Sequence, residues 1–202
     1  MHRPALLGAA LLTAALLTIA ATAAQAHTGI GDANGFVYGL AHPIAGIDHV
    51  LVMVAVGVFA AQFGGRALWL VPLSFVSMMT VGGVLGIAGV GLPLVELAIG
   101  LSVVAVGLAI AVGFNIPIAA AMALVGFFAV FHGQAHGAEM PETASGLEYG
   151  IGFVLATASL HALGIGLGIS FGRTGEAFGN GVLRGAGSAM ALAGIAILTG
   201  YL

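Results

Sequence analysis

Continuous apolar runs, separated by a few glycines, prolines or charges, fill this chain almost from end to end. Six of them follow residue 35, at about 36–61, 68–90, 93–112, 116–134, 147–171 and 180–201. Each is near the roughly 20 residues that an α-helix needs to cross a bilayer. Polar and apolar positions do not alternate within them, which argues against the strands of a transmembrane β-barrel. The breaks are short: Gln62 to Ala67 carries Arg66, Gly89 to Pro93 is a Gly/Pro turn, and Gly113 to Pro117 holds Asn115. Gln134 to Gly146 is the most polar connection, and Gly172 to Gly181 carries Arg173 and Glu176. An earlier run, Ala5 to Ala20, follows His2 and Arg3 and precedes Ala24-Gln25-Ala26. That is the three-part pattern of a signal peptide cleaved after Ala26. The expectation is therefore all-α: residues 1–26 a signal peptide, and 27–202 a single bundle of six transmembrane helices in a polytopic membrane protein.

Composition supports this class. With 60% hydrophobic and only 5% charged residues, a soluble fold could not clothe its surface. The 34 glycines suit helices that pack backbone to backbone in lipid. A net charge of −3 excludes a nucleic-acid partner, and the absence of cysteine excludes disulfides and thiolate metal sites. There is no lysine, so arginine alone reports orientation. An exported N-terminus puts Arg66, Arg173 and Arg184 on the cytoplasmic side, as the positive-inside rule requires. The expected location is the bacterial inner membrane, with the mature N-terminus in the periplasm. Asp32 and Glu142 then face the periplasm, and every histidine after the signal peptide lies outside or between the outer face and the membrane centre.

The candidate chemistry starts in the first span, at His42-Pro-Ile-Ala-Gly-Ile-Asp48-His49-Val-Leu-Val-Met53. An ionisable group at membrane depth costs about 2.5–3.5 kcal/mol even on lenient scales, and by default marks an ion or substrate path. On one continuous helix, His42, Gly46, His49, Met53 and Gly57 form a stripe, with Asp48 beside it. Pro43 favours a kink or a loop-to-helix entry near the start of the span. Imidazole, carboxylate and thioether together suit a borderline divalent transition metal rather than magnesium or calcium. A single histidine in such a bundle more often bonds one helix to another; four such donors within about three turns favour metal handling.

Phe131-His132-Gly-Gln-Ala-His136-Gly-Ala-Glu139 is a second constellation. His132 and His136 stand i, i+4 and could share one metal ion, with Glu139 on the same face if the helix continues. The competing reading is a polar cap with solvated histidines. His161 shares a face with Gly164, Gly168 and Gly172, which turns it toward a neighbouring helix as a ligand or as a hydrogen-bond partner to one. Glu96, at a span end, is a further candidate or a snorkelling carboxylate. After cleavage His27 would offer an amine and an imidazole, or simply a disordered terminus.

His42-Pro-x-x-Gly-x-Asp48-His49-x-x-x-Met53-x-x-Val-Gly57 resembles the signature of the HupE/UreJ membrane proteins, and His132-Gly-x-Ala-His136-Gly-x-Glu139 is similar to their second motif. These proteins are regarded as nickel transporters associated with hydrogenase and urease maturation. The resemblance covers essentially the whole chain. It implies that His42, Asp48, His49, His132, His136 and Glu139 handle the metal; His27, Met53, Glu96 and His161 remain additional candidates from the residues alone. It also implies a transported divalent ion, nickel first among them, with no permanently bound cofactor. The expected partners are that ion, the lipid bilayer, hydrogenase or urease maturation proteins and, as an open alternative, a second copy of the chain. The ligand set alone does not select nickel over cobalt or copper.

No phosphate-binding loop is present, so the chain itself does not hydrolyse ATP. The membrane potential suffices: a divalent cation moving inward gains about 4.6 kcal/mol per 100 mV. An intramembrane hydrolase is the rival from another class, but G-x-S-x-G and H-E-x-x-H are both absent, and a di-iron oxidase would need more histidines. A metal sensor or delivery protein without transport is the remaining alternative. No enzymatic activity is expected.

Overall fold

The computed structural model describes residues 35–113, 116–140, 145–172 and 176–201, without the side chains of 176 and 177. The proposed signal peptide, His27, Asp32, Asn115, Glu142 and Arg173 lie outside the described residues. The described chain is helical throughout: α1 Gly35–Ala45, α2 Ile47–Phe63, α3 Ala67–Ile87, α4 Val95–Val112, α5 Ile118–Ala138, α6 Gly146–Gly172 and α7 Glu176–Leu198. Five of these contain stretches long and apolar enough to span a membrane, and α1 with α2 is apolar enough to make a sixth if the pair, bent by 85°, is one broken span rather than a re-entrant loop.

The kink expected from Pro43 in the span over 36–61 is thus a full break, which corrects the expectation of one continuous stripe. Pro43 lies inside α1 and has no N–H to donate, which weakens the helix two residues before its end. Gly46 then adopts an extended conformation (φ −97°, ψ 121°), and α2 restarts at Ile47. Asp48, in the first turn of α2, accepts the backbone N–H of His49 at 2.8 Å. It thereby satisfies one of the orphan donors of the new helix start, and its negative charge faces the positive end of the α2 dipole. His42 and His49 therefore do not lie on one helical stripe.

Helix α2 is the hub, since it touches each of the other six described helices. Its Val52, Met53, Val56, Phe59 and Ala60 are fully buried, and they pack with Val71 and Phe75 of α3, Val103 of α4 and Val125 of α5. The closest helix pairs are α3 with α5, α4 with α7, and α2 with α6. Small residues make these approaches possible. A Cβ on Gly164 of α6 would collide with the carbonyl oxygen of Val54 in α2, and one on Gly133 of α5 with that of Met79 in α3. In lipid, where burial of apolar side chains gains little, such backbone contact is a main source of cohesion. The expected glycine face of α6 is real at Gly164 and Gly168, but at Gly172 a Cβ would meet open space.

Candidate metal site

The break at Gly46 places the end of α1, the start of α2, the end of α5 and the start of α6 side by side. His136 and His42 come together with rings 4.8 Å apart, edge to face. His42 Nε2–H donates to Glu139 at 3.1 Å. Ligand atoms of His42, His136 and Glu139 all lie within 4.8 Å of one another. Glu139 caps α5, which continues to Ala138. His136 is thus a buried helical residue, and His132 is fully buried one turn earlier. The solvated-cap reading of this motif therefore fails. The His42 contact holds the Glu139 carboxyl below its ordinary value of 4.5. The C-terminal carbonyls of α1 and α5 both end here, and their partial negative charge favours a cation.

Beyond this mouth the rings continue inward in a row. His49 lies between His136 (ring centres 4.2 Å apart) and His132 (4.8 Å). His132 and His136 therefore flank His49, and of the two only His136 joins Glu139 in the outer cluster. His49 Nδ1–H donates to Asp48 Oδ1 at 2.7 Å. A carboxylate only accepts, so this bond fixes the proton on Nδ1 and leaves the Nε2 lone pair free. Nε2 of His49 is buried with no protein partner, as are Nδ1 of His132 and both ring nitrogens of His136 and His161. A dry, unpaired polar atom costs on the order of 1–3 kcal/mol. A row of such atoms is suited to groups that exchange partners with a passing ion.

The remaining candidates are dispersed. His161 is buried on α6 with its ring edge-on to Phe75 (5.1 Å), and Phe75 also neighbours His132 (5.8 Å). Phe75 thus stands between His161 and the row. Met53 is fully buried in the apolar core one turn along α2 from His49. Glu96 is exposed in the first turn of α4. Sequence reasoning missed the aromatic wall of the mouth: Tyr38 stacks on His42 (5.5 Å), and Phe153 lies against His136 (4.4 Å). Tyr149 O–H donates to the His136 carbonyl at 3.2 Å. It also missed Ser102, whose hydroxyl meets His132 Nε2 at 2.9 Å. The available signal was that Ser102 and Glu96 are the polar side chains of an otherwise apolar α4.

The other end of α2 is different. A cavity of about 410 Å³ there is lined by Gln62, Gly113, Asn180 and Arg184. Arg184 donates to the Val112 carbonyl at 3.3 Å, and Gln62 to that of Ile110 at 3.1 Å. Arg66 sits at the same end, between α2 and α3. Among the described residues, the row of His42, His136, His49 and His132 and the arginines Arg66 and Arg184 therefore occupy opposite ends of the bundle, with apolar core and His161 between them.

This chain is 49% identical over 178 residues to Protein HupE of Rhizobium leguminosarum bv. viciae, covering 88% of this chain and 91% of the relative. No solved structure matches it. The family described as HupE / UreJ protein matches residues 14–197, a stretch that takes in both histidine motifs and all seven described helices but for one residue, and the chain therefore belongs to the HupE/UreJ family.

Proposed function

We propose that this protein takes up a divalent transition-metal ion, nickel, across the bacterial inner membrane and supplies hydrogenase or urease maturation. The observation that carries the reading is the convergence of His42, His136 and Glu139 at a break in the first span, continued inward by His49 and His132. The three outer groups capture the ion. Asp48 holds His49 with its lone pair free for the next step, and His132 follows. His161, Met53 and Glu96 are later or peripheral ligands of the same path. With the histidine end facing the periplasm and Arg66 and Arg184 facing the cytoplasm, the positive-inside rule is met. The membrane potential then drives the ion from the histidines toward the arginines.

The test is nickel flux into proteoliposomes, together with nickel accumulation in cells producing the wild type or Asp48→Ala. Flux in the wild type and its loss in Asp48→Ala are expected. Binding without flux would make the protein a sensor or delivery protein. Equal accumulation by both chains would remove Asp48 and His49 from the path.

A further inference from the structure

We infer that Ser102 is a positioning residue of the ion path, fixing the tautomer of His132 so that its Nδ1 carries the free lone pair; this rests on the uptake reading above. The hydroxyl of Ser102 makes two contacts, 2.6 Å to the carbonyl oxygen of Ile99 and 2.9 Å to His132 Nε2. It has one proton to give. Two oxygens 2.6 Å apart with no proton between them would repel, so the proton lies on the Ile99 side. This is the ordinary back-bond of a helical serine to the carbonyl three residues earlier. The serine oxygen then faces His132 as an acceptor, and His132 Nε2 must carry a hydrogen to fill the contact. A neutral imidazole holds a single proton. Nδ1 of His132 is therefore bare, and it is one of the buried nitrogens without a protein partner.

Ser102 thus does for His132 what Asp48 does for His49, by the opposite nitrogen. Asp48 accepts a hydrogen bond from Nδ1–H of His49 and leaves Nε2 bare. Ser102 accepts one from Nε2–H of His132 and leaves Nδ1 bare. The two rings stand 4.8 Å apart and nearly perpendicular (88°). Each keeps one unprotonated, unpartnered nitrogen available without first moving a proton. Both Ser102 and His132 are fully buried, so water does not compete for the contact. Without the serine oxygen, His132 has no partner for either nitrogen. Its proton then distributes between them, and a fraction of the molecules presents an N–H where the ion needs a lone pair.

Histidine-selective ¹⁵N labelling of the full chain in detergent reads the tautomer directly, with the His132 signal identified by its absence in His132→Asn. The wild type should carry its proton on Nε2 of His132, and Ser102→Ala should show a mixture. A wild-type His132 protonated on Nδ1 overturns the inference without recourse to any variant. In proteoliposomes with Ni²⁺ as the probe, the maximal rate of Ser102→Ala should fall about tenfold to a hundredfold, the usual range for a group that orients a metal-binding histidine. Its KM, set by the outer triad, should stay within about twofold of the wild type. Ser102→Thr keeps the hydroxyl and should restore the rate. A serine that merely packs would give wild-type rates in Ser102→Ala. Absence of flux in the wild type would instead refute the uptake reading, and the tautomer measurement would still decide the role of Ser102.

Discussion

Replacing Gly164 by alanine tests whether the α2–α6 crossing sets the geometry of the histidine row. A Cβ at Gly164 would strike the carbonyl oxygen of Val54, and it would lie 2.9 Å from the Val54 carbonyl carbon and 3.0 Å from Cα of Gly57. All three neighbours are backbone, so no change of rotamer relieves the clash and the helices must part. Restoring carbon contacts of about 3.5–4.0 Å needs roughly half an ångström to one ångström of separation. Overpacking of this kind costs about 1–3 kcal/mol. At about 2–4 °C per kcal/mol for a chain of this size, thermal unfolding in detergent should move down by about 2–12 °C. The flux assay should also respond, because α2 carries His49 while α6 carries Tyr149 and His161. Gly166→Ala is the control on the same helix, where an added Cβ meets nothing within 4 Å. Alanine is the better helix former, so that variant should melt at or above the wild type. If Gly164→Ala melts together with Gly166→Ala, the crossing is not as tight as described and the reasoning fails.

A Cβ at Gly46 would lie 2.8 Å from the Asp48 carboxylate and 2.9 Å from His49 Nδ1; Gly46→Ala should push that pair apart and lower nickel uptake about tenfold, and unchanged uptake would show that the pair tolerates displacement. Nickel at a hundred times its Kd should stabilise the wild type by about 2.7 kcal/mol, read as a rise in Tm, whereas His136→Phe should show little rise; an equal rise in both would remove His136 from the capture site. The depressed pKa of Glu139 means that its contact with His42 is intact above the unfolded carboxyl value and is lost only as pH falls through the lower folded value. Glu139→Gln should therefore weaken nickel binding by a similar factor at pH 7 and at pH 5, and a defect that disappears at pH 5 would mean that the wild-type carboxyl is already protonated there.

The spans were legible because each is a long apolar run bounded by glycine, proline or arginine, and the physics of burial in lipid is local to the run. The helix break was half legible. Pro43 announced a kink, but the i, i+4, i+7 count from His42 to His49 assumed that the helix passed unbroken through Gly46. The extended conformation of that glycine rotates the two histidines out of a common stripe and lets both reach His136 from different directions. Spacing along one helix could not reveal this, since the meeting depends on α5 approaching α2 across more than eighty residues of chain. The same reason hid the division between a mouth (His42, His136, Glu139) and an inner pair (His49, His132). Ser102 was hidden because a serine that back-bonds to its own helix is unremarked in sequence, and its second contact is made by a residue thirty positions away.

The buried apolar girdle around α2 also has an electrical meaning. Val52, Val56, Phe59 and Ala60, packed with Val71, Val103 and Val106, lie between the row of histidines and the cavity at Arg184. Such a layer has a low dielectric constant and no mobile ions, so most of the transmembrane voltage falls across it and little across the wetter ends. A charge held at the histidine mouth has crossed almost none of that voltage. The energy of about 2.3 kcal/mol per elementary charge per 100 mV is therefore released in the girdle rather than during capture. On the proposed path, capture at the mouth is then electrically silent, and passage of the dry girdle is the step on which the membrane potential acts.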